Sequence, residues 1–270
     1  MALPAPTAGS ICLVTGASSG IGTEFARQLG ARGYDLLLVA RREDRLRELA
    51  AEIEREHGVH AQVAQCDLGE AVAREGLIEQ VKASGLAVEI LVNNAGFSTV
   101  GDVHENPDRQ LGMVHVNVEA LVALTSAFLP AMVERGRGAI INVASIAAFQ
   151  PIPAQATYAA TKSFVLSFSE SVGAEVRRSG VSVTALCPGP VATEFVEVAQ
   201  FKRTMDEMGP SFIWATPAEV AREAIEGAAR GKRVVLPNLA LRAIAYASRV
   251  SPRSIVLGPI ASAYRKSIGE

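Results

Sequence analysis

Cysteine is scarce and scattered. Three thiols, Cys12, Cys66 and Cys187, serve 270 residues, an odd number without a C-x-x-C or Cys/His ligand spacing. This excludes a disulfide scaffold and a structural zinc site, and it fits a reducing compartment. His57, His60 and His104 show no ligand spacing either, and His115 reads as a packed or surface helix residue, so no metal is expected. Excess charge of one sign is also missing, since 26 Lys and Arg oppose 28 Asp and Glu. Without a global basic field the chain has no electrostatic footprint for nucleic acid. The longest charge-free apolar stretch, residues 120–133, contains Pro130 and falls short of the roughly 18–20 residues of a membrane span. Residues 1–10 have neither a basic start nor a long apolar core and do not read as a signal peptide. A cytoplasmic protein is the expectation. No internal repeat or low-complexity linker interrupts the chain, so residues 1–270 are read as one domain.

What is present is apolar side chain, 49% against 20% charged, a ratio that excludes a disordered chain and supplies a three-layer core. Short β-branched or Leu-rich runs at 11–15, 35–40, 59–65, 88–92, 139–143, 181–186 and 233–236 alternate with helical segments. That rhythm predicts an α/β fold, a doubly wound parallel sheet with helices on both faces. Leu46, Leu49, Ala50 and Ile53 recur at i, i+3, i+4, i+7 and Gly58 stands at the stop. Thr216-Pro-Ala-Glu219 carries a helix-opening capping box. Residues 187–215 and those after Pro237 break the rhythm.

Directly after the first strand stands Thr15-Gly-Ala-Ser-Ser-Gly-Ile-Gly22, followed by a helical run over 23–31. Glycine at 16, 20 and 22 permits a tight turn and a close approach of backbone to a pyrophosphate, which the free N–H groups and positive end of a helix attract. A plain strand-to-helix loop would also use such glycines. The end of the second strand is the more telling place, because a carboxylate there selects NAD through the adenosine ribose. Here the strand ends in Arg41 and Arg42, whose guanidinium groups suit the 2′-phosphate of NADP(H). Asp67, with Leu68, closes the third strand where it can accept from an adenine amino group. Asn93-Asn-Ala-Gly96 closes the fourth.

From about Ser10 to Pro237 the chain resembles the short-chain dehydrogenase/reductase family, within it the bacterial lipid-type, β-ketoacyl reductase-like members. The resemblance rests on Thr15-Gly-x-x-x-Gly-Ile-Gly22, Asn93-Asn-Ala-Gly96, Asn117, Ser145, Tyr158-x-x-x-Lys162 and Pro188-Gly-Pro-Val-x-Thr193, in the family's order and spacing. It implies a single Rossmann-type domain and a catalytic tetrad of Asn117, Ser145, Tyr158 and Lys162. The cofactor-binding set then comprises Gly16, Ser18, Ser19, Gly20, Ile21, Gly22, Arg41, Arg42, Asp67, Leu68, Asn94, Ala95, Gly96, Tyr158, Lys162, Pro188, Gly189, Val191 and Thr193, with NADP(H) as cofactor. Thr193 is implied to hold the carboxamide, Lys162 the nicotinamide ribose, and Asn117 a water leading from Lys162 to solvent.

The residues themselves agree with that picture. Tyr158 and Lys162 lie at i and i+4 on one helix face, so phenol and ammonium share one site. A tyrosine ionises near ~10 and is a poor base at neutral pH unless a fixed cation such as Lys162 favours its phenolate. In reduction Ser145 hydrogen-bonds the carbonyl oxygen and Tyr158 supplies the proton.

The family folds the segment at about 190–215 over its substrate. Here that segment carries Phe195, Phe201, Met205, Met208, Phe212 and Trp214, beside Phe97, Phe149, Pro151, Ile152 and Pro153. Such a lid favours an apolar carbonyl, a β-keto acyl compound above others. The alternatives are a dehydrogenase of a sterol or secondary alcohol, and a nucleotide-sensing scaffold without turnover. Lys202 and Arg203 offer contacts for a coenzyme phosphate. The tail at 239–270 sets basic residues such as Arg242, Arg249 and Arg265 among Leu241, Ile244 and Ile260. It suits a peripheral membrane contact, an acyl carrier or a neighbouring subunit. A homodimer or homotetramer is implied, with Leu121, Leu124, Phe128, Phe164 and Phe168 as its contact face.

Overall fold

The computed structural model describes residues 3–191, 193–195, 214–252, 257–258 and 261–262. Seven strands form one sheet: β1 (Ser10–Thr15), β2 (Leu36–Ala40), β3 (Ala61–Gln65), β4 (Ala87–Asn93), β5 (Gly138–Val143), β6 (Val181–Leu186) and β7 (Val234–Val235). All pairs are parallel and the order is β3-β2-β1-β4-β5-β6-β7. The chain winds outward in one direction from β1 and in the other from β4. A crevice therefore opens at the carboxyl ends of β1 and β4, where doubly wound sheets hold ligands. The expected strands match to within two residues at each end.

Strand alternation sorts the core into two layers. Cys12, Val14, Leu36, Leu38, Ile90 and Ile141 face one way, against Phe25 and Leu29 of α1 (Gly20–Gly30), Leu46 and Ile53 of α2 (Glu43–His57) and Val220 and Ile225 of α7 (Pro217–Ala229). Ile11, Leu13, Leu37, Val39, Leu91 and Ile140 face the other way. They meet α3 (Ala71–Ala83), α5 (Ala120–Arg135) and α6 (Ala156–Glu175) through Leu77, Leu124, Phe128, Met132 and Val172. Because both faces are covered, the strands read as continuous apolar runs.

Two expectations on the helices are corrected. Helix α1 begins at Gly20 rather than residue 23, so Gly20 and Gly22 lie inside its first turn. The face assigned to a subunit contact is mostly spent inside the chain: Leu121, Leu124 and Phe128 are buried, and only Phe164, stacked on Phe168 with ring centroids 5.7 Å apart, is exposed. Helix α5 is apolar on nearly every side, so periodicity could not say which side turns inward. With α4 (Pro107–Val114) and a π-helical turn (His115–Glu119) it forms a continuous helical run, Pro107–Arg135, long and apolar enough by length and composition to cross a membrane.

The tail contains α8 (Leu239–Val250). Its Leu241 and Ala245 are buried in a small cluster with Cys187, Leu166 and Leu236. Arg242 donates to the Leu236 carbonyl at 3.1 Å, Ser248 donates to Gln150 Oε1 at 3.2 Å, and Arg249 pairs with Glu170 at 3.3 Å. This part of the tail covers its own protein. Phe201, Lys202, Arg203, Met205, Met208, Phe212, Ile260 and Arg265, like the side chain of Ile244, lie outside the described residues.

Helix α7 opens as the sequence predicts: Thr216 Oγ1 accepts from Glu219 N at 3.2 Å while the Glu219 carboxylate accepts from Thr216 N at 2.9 Å. Thr216→Ala is expected to lower unfolding stability by about 1 kcal/mol, read as a shifted urea midpoint at unchanged m-value.

Candidate active site

The crevice is built on Thr15. Its hydroxyl accepts from Asn94 N at 2.9 Å and Ala95 N at 3.0 Å and lies 3.1 Å from the Val92 carbonyl, to which it donates. One side chain thus closes the ends of β1 and β4 against each other. The Asn94 amide returns the link by donating to the carbonyls of Thr15 at 2.9 Å and Gly16 at 3.3 Å. The approach is too close for side chains. A Cβ on Gly22 would sit 2.2 Å from the Gly16 carbonyl, and one on Gly16, itself at φ +65°, would sit 2.8 Å from Asn94 Nδ2.

The loop leads into α1, whose N-cap, Ser19, makes no side-chain cap bond and whose first turn holds no acid. Its free N–H groups face the cleft, which fits a dinucleotide pyrophosphate. The cleft has a volume of about 610 Å³ and is lined by Gly16, Ser18, Gly20, Ile21, Arg41, Arg42, Asp67, Leu68, Asn94, Ala95, Gly96, Ser145, Tyr158, Lys162, Pro188, Gly189, Val191 and Thr193, among others. Ser19 lines it too, whereas Gly22 stands behind the loop and Asn117 behind the wall.

At the end of the cleft beside β2, Arg42 lies with Nε 3.2 Å and an η nitrogen 3.1 Å from Ser18 Oγ. Arg41 is exposed and 3.8 Å from Asp67. Asp67 Oδ1 also accepts from Gly69 N at 2.9 Å, shaping the loop after β3. That loop is tied down by buried Arg74, which donates to the Leu68 carbonyl at 2.8 Å and pairs with Glu119 at 3.2 Å. His115, on the surface, meets the same carboxylate at 2.9 Å.

At the other end Tyr158, Lys162, Ser145 and Asn117 are all buried. Burial pushes the Tyr158 phenol up to about 12, against the opposing pull of its hydrogen bond with Ser145. Burial likewise brings Lys162 down to about 8. Its Nζ donates to the Val143 carbonyl at 2.8 Å and lies 5.8 Å from the Tyr158 ring centroid. Desolvation therefore keeps the phenol protonated, and the opposing pull comes from Ser145 rather than from the expected cation, Lys162. Asn117 sits in the π-helical turn, where the extra backbone residue redirects a side chain inward. Its Oδ1 accepts from Phe97 N at 3.0 Å, and its Nδ2 donates to the Phe97 carbonyl at 3.0 Å and Thr161 Oγ1 at 3.1 Å.

The short chain dehydrogenase family model matches residues 10–203, the span that holds the glycine loop and all four of these residues. The chain belongs to that family. Among its relatives, a very-long-chain 3-oxoacyl-CoA reductase of Anas platyrhynchos is 34% identical over 230 residues, covering 82% of this chain and 69% of the relative. Sulfoacetaldehyde reductase 2 of Chromohalobacter salexigens is 37% identical over 191 residues, 70% of this chain and 75% of the relative. A short-chain dehydrogenase from Sphingobium yanoikuyae in complex with NADPH superposes with a TM-score of 0.80 at 34% identity, covering 88% of this chain and 92% of that one.

Within this short-chain dehydrogenase the wall around Tyr158 is apolar. Met113 and Ala147 are buried against it with Phe97, Ile152 and Phe195 partly buried, and the Phe195 ring lies 5.7 Å from that of Tyr158. Trp214 also lines the cleft. Phe149, expected at the site, packs instead against the cluster of Cys187 and Leu166, and Pro151 and Pro153 are not among the lining residues. The base of the expected lid is closed by a bridge between Val191 and Ala215.

Several site residues escape sequence reasoning. Glu194 reaches across the cleft to Arg42 and Arg45, at 2.8 and 2.5 Å; only its position beside Thr193 marks it. Ala154, four residues before Tyr158, is the single non-glycine with positive φ among the described residues, at +65°. Its carbonyl accepts from Gly101 N at 3.0 Å, joining the two loops on the substrate side. Left-handed backbone costs an alanine about 1–2 kcal/mol, of which glycine's greater unfolded entropy would return part. Ala154→Gly is expected to raise stability by about 0.5–1 kcal/mol, measured by chemical denaturation.

Proposed function

We propose that this short-chain dehydrogenase is an NADPH-dependent reductase of an apolar ketone, a 3-oxoacyl thioester being the favoured class. The observation that carries the reading is a buried, protonated phenol bonded to Ser145 and walled by Met113, Phe97, Ile152 and Phe195. The NADPH of the Sphingobium structure and the substrate named for the duck relative point the same way. Because the second relative is named for a sulfonated aldehyde, the preference for an apolar substrate rests on these walls.

NADPH, when bound, supplies the hydride to the carbonyl carbon. Gly16, Ser18, Gly20 and the α1 N-terminus would hold its pyrophosphate, Arg41 and Arg42 its 2′-phosphate, and Thr193 its carboxamide. Ser145 donates a hydrogen bond to the carbonyl oxygen, and Tyr158 delivers its proton to that oxygen as negative charge develops there. Charged Lys162, anchored on the Val143 carbonyl, stabilises the phenolate left on Tyr158. Asn117 is a positioning residue that fixes the Phe97 wall to α6. At neutral pH Tyr158 holds its proton, the form that reduction requires at the start of the cycle.

We further infer a homo-oligomer in which the exposed Phe164, stacked on partly buried Phe168, is covered by a second copy, working in the cytoplasm, where three buried free thiols stay reduced.

The deciding assay is NADPH oxidation across 3-oxoacyl thioesters and ketones of graded chain length, in which efficiency should rise with chain length; a preference for small polar aldehydes overturns the substrate class. Tyr158→Phe should lower turnover by about 10²–10⁴-fold while NADPH binding, followed by fluorescence, stays nearly intact. A pH profile separates the two titrating groups. Tyr158 keeps its proton up to about pH 12, whereas Lys162 loses its charge above about pH 8. The reductive kcat/KM should therefore be level below pH 8 and fall above it, as the neutral amine ceases to stabilise the phenolate. A profile level to pH 10 would remove Lys162 from that role.

A further inference from the structure

Arg42 and Arg45 are not free to greet an anion, because a carboxylate from the far side of the cleft already bridges them. Glu194 Oε2 lies 2.8 Å from an Arg42 η nitrogen and Glu194 Oε1 lies 2.5 Å from one of Arg45. Isolated surface pairs of this kind contribute little, but this arrangement has two constraints that such pairs lack. Arg42 is oriented by Ser18, whose hydroxyl takes two of its nitrogens at 3.1 and 3.2 Å and whose carbonyl accepts at 3.3 Å. Glu194 sits in a local turn in which Thr193 Oγ1 accepts from Phe195 N at 3.3 Å, and the Thr193 side chain lies beside Gly20, where an added Cβ would stand 3.0 Å from it. The carboxylate is thus presented, from the segment after β6, directly to the guanidinium groups of Arg42 and Arg45. Hydrogen bonds from Arg42 and then Arg45 lower the pKa of this carboxyl, so it is ionised at neutral pH.

We propose that Glu194 is a specificity-determining counter-charge that competes with the 2′-phosphate of NADP(H) for Arg42 and Arg45. The inference rests on the NADP(H) reading above. A 2′-phosphate brings close to two negative charges and draws its affinity from charge-assisted bonds to guanidinium groups. To make them it must displace the Glu194 carboxylate or share its donors beside a like charge. A 2′-hydroxyl makes no such demand. Glu194 therefore penalises NADP(H) and spares NAD(H), setting a preference smaller than Arg41, Arg42 and Arg45 alone would give.

The test is calorimetric titration of the full chain with NADP⁺ and with NAD⁺. Glu194→Gln keeps the side-chain shape and should lower the Kd for NADP⁺ by about tenfold, leaving that for NAD⁺ within about twofold. In a background carrying Arg42→Gln and Arg45→Gln, the same change should alter neither Kd. An unchanged or weakened NADP⁺ affinity in Glu194→Gln overturns the proposal, weakening being the mark of a strap that holds the cofactor down. Equal tightening of both cofactors also overturns it, because the effect would then be general electrostatics. Failure of the cofactor reading looks different: the wild-type chain would bind NAD⁺ as well as NADP⁺, and the double arginine variant would lose nothing.

Discussion

The arrangement depends on one hydroxyl. Thr15 uses its donor on Val92 and both acceptor sites on the amides of Asn94 and Ala95, the full capacity of a threonine side chain. Through it the two strands at which the sheet reverses direction are closed together at their carboxyl ends. The glycine loop departs from one of them and the segment carrying Gly96 and Phe97 from the other, so the halves of the cleft share an origin. An aliphatic side chain there would leave the part-buried Ala95 amide without this partner and the Asn94 amide with only the Val92 carbonyl at 3.0 Å, loosening the junction.

From that junction the order continues outward by further buried polar links. Phe97 is clasped by Asn117, Asn117 reaches Thr161 on α6, and α6 carries Tyr158 and Lys162. On the opposite side Arg74 draws the loop after β3 towards Glu119, in the same π-helical turn as Asn117. The two ends of the cleft are thus fastened to one short stretch of helix. Desolvation then sets the chemistry, since enclosing the phenol raises its value while enclosing the ammonium lowers its own.

Much of this was legible in the residues, for physical reasons. A parallel sheet buried on both faces writes its strands as apolar runs, and the glycines at 16 and 22 are demanded by contacts no other residue survives. Tyr158 and Lys162 share a helix face by spacing alone. What stayed hidden had no local signature. A single extra residue in a helical turn does not disturb periodicity enough to reveal the π turn at Asn117. Alanine at 154 carries no mark of its positive φ. Arg45 and Glu194 stand 149 residues apart, and nothing in either neighbourhood announces the other. The inward direction of Leu121, Leu124 and Phe128 was unreadable because α5 is apolar on nearly every side.

The parallel bridge between Val191 and Ala215, with Ala215 N donating to the Pro190 carbonyl at 3.2 Å, separates two parts of the chain. The ends of the segment between these two residues meet at this bridge, and past it Glu194 and Phe195 still reach Arg42, Arg45 and Tyr158. Lengthening such an excursion costs only slowly growing entropy. Tyr158, Lys162 and Ser145 stand on elements outside it. A change of sequence between residues 195 and 214 therefore need not alter the elements that carry Tyr158, Lys162 and Ser145.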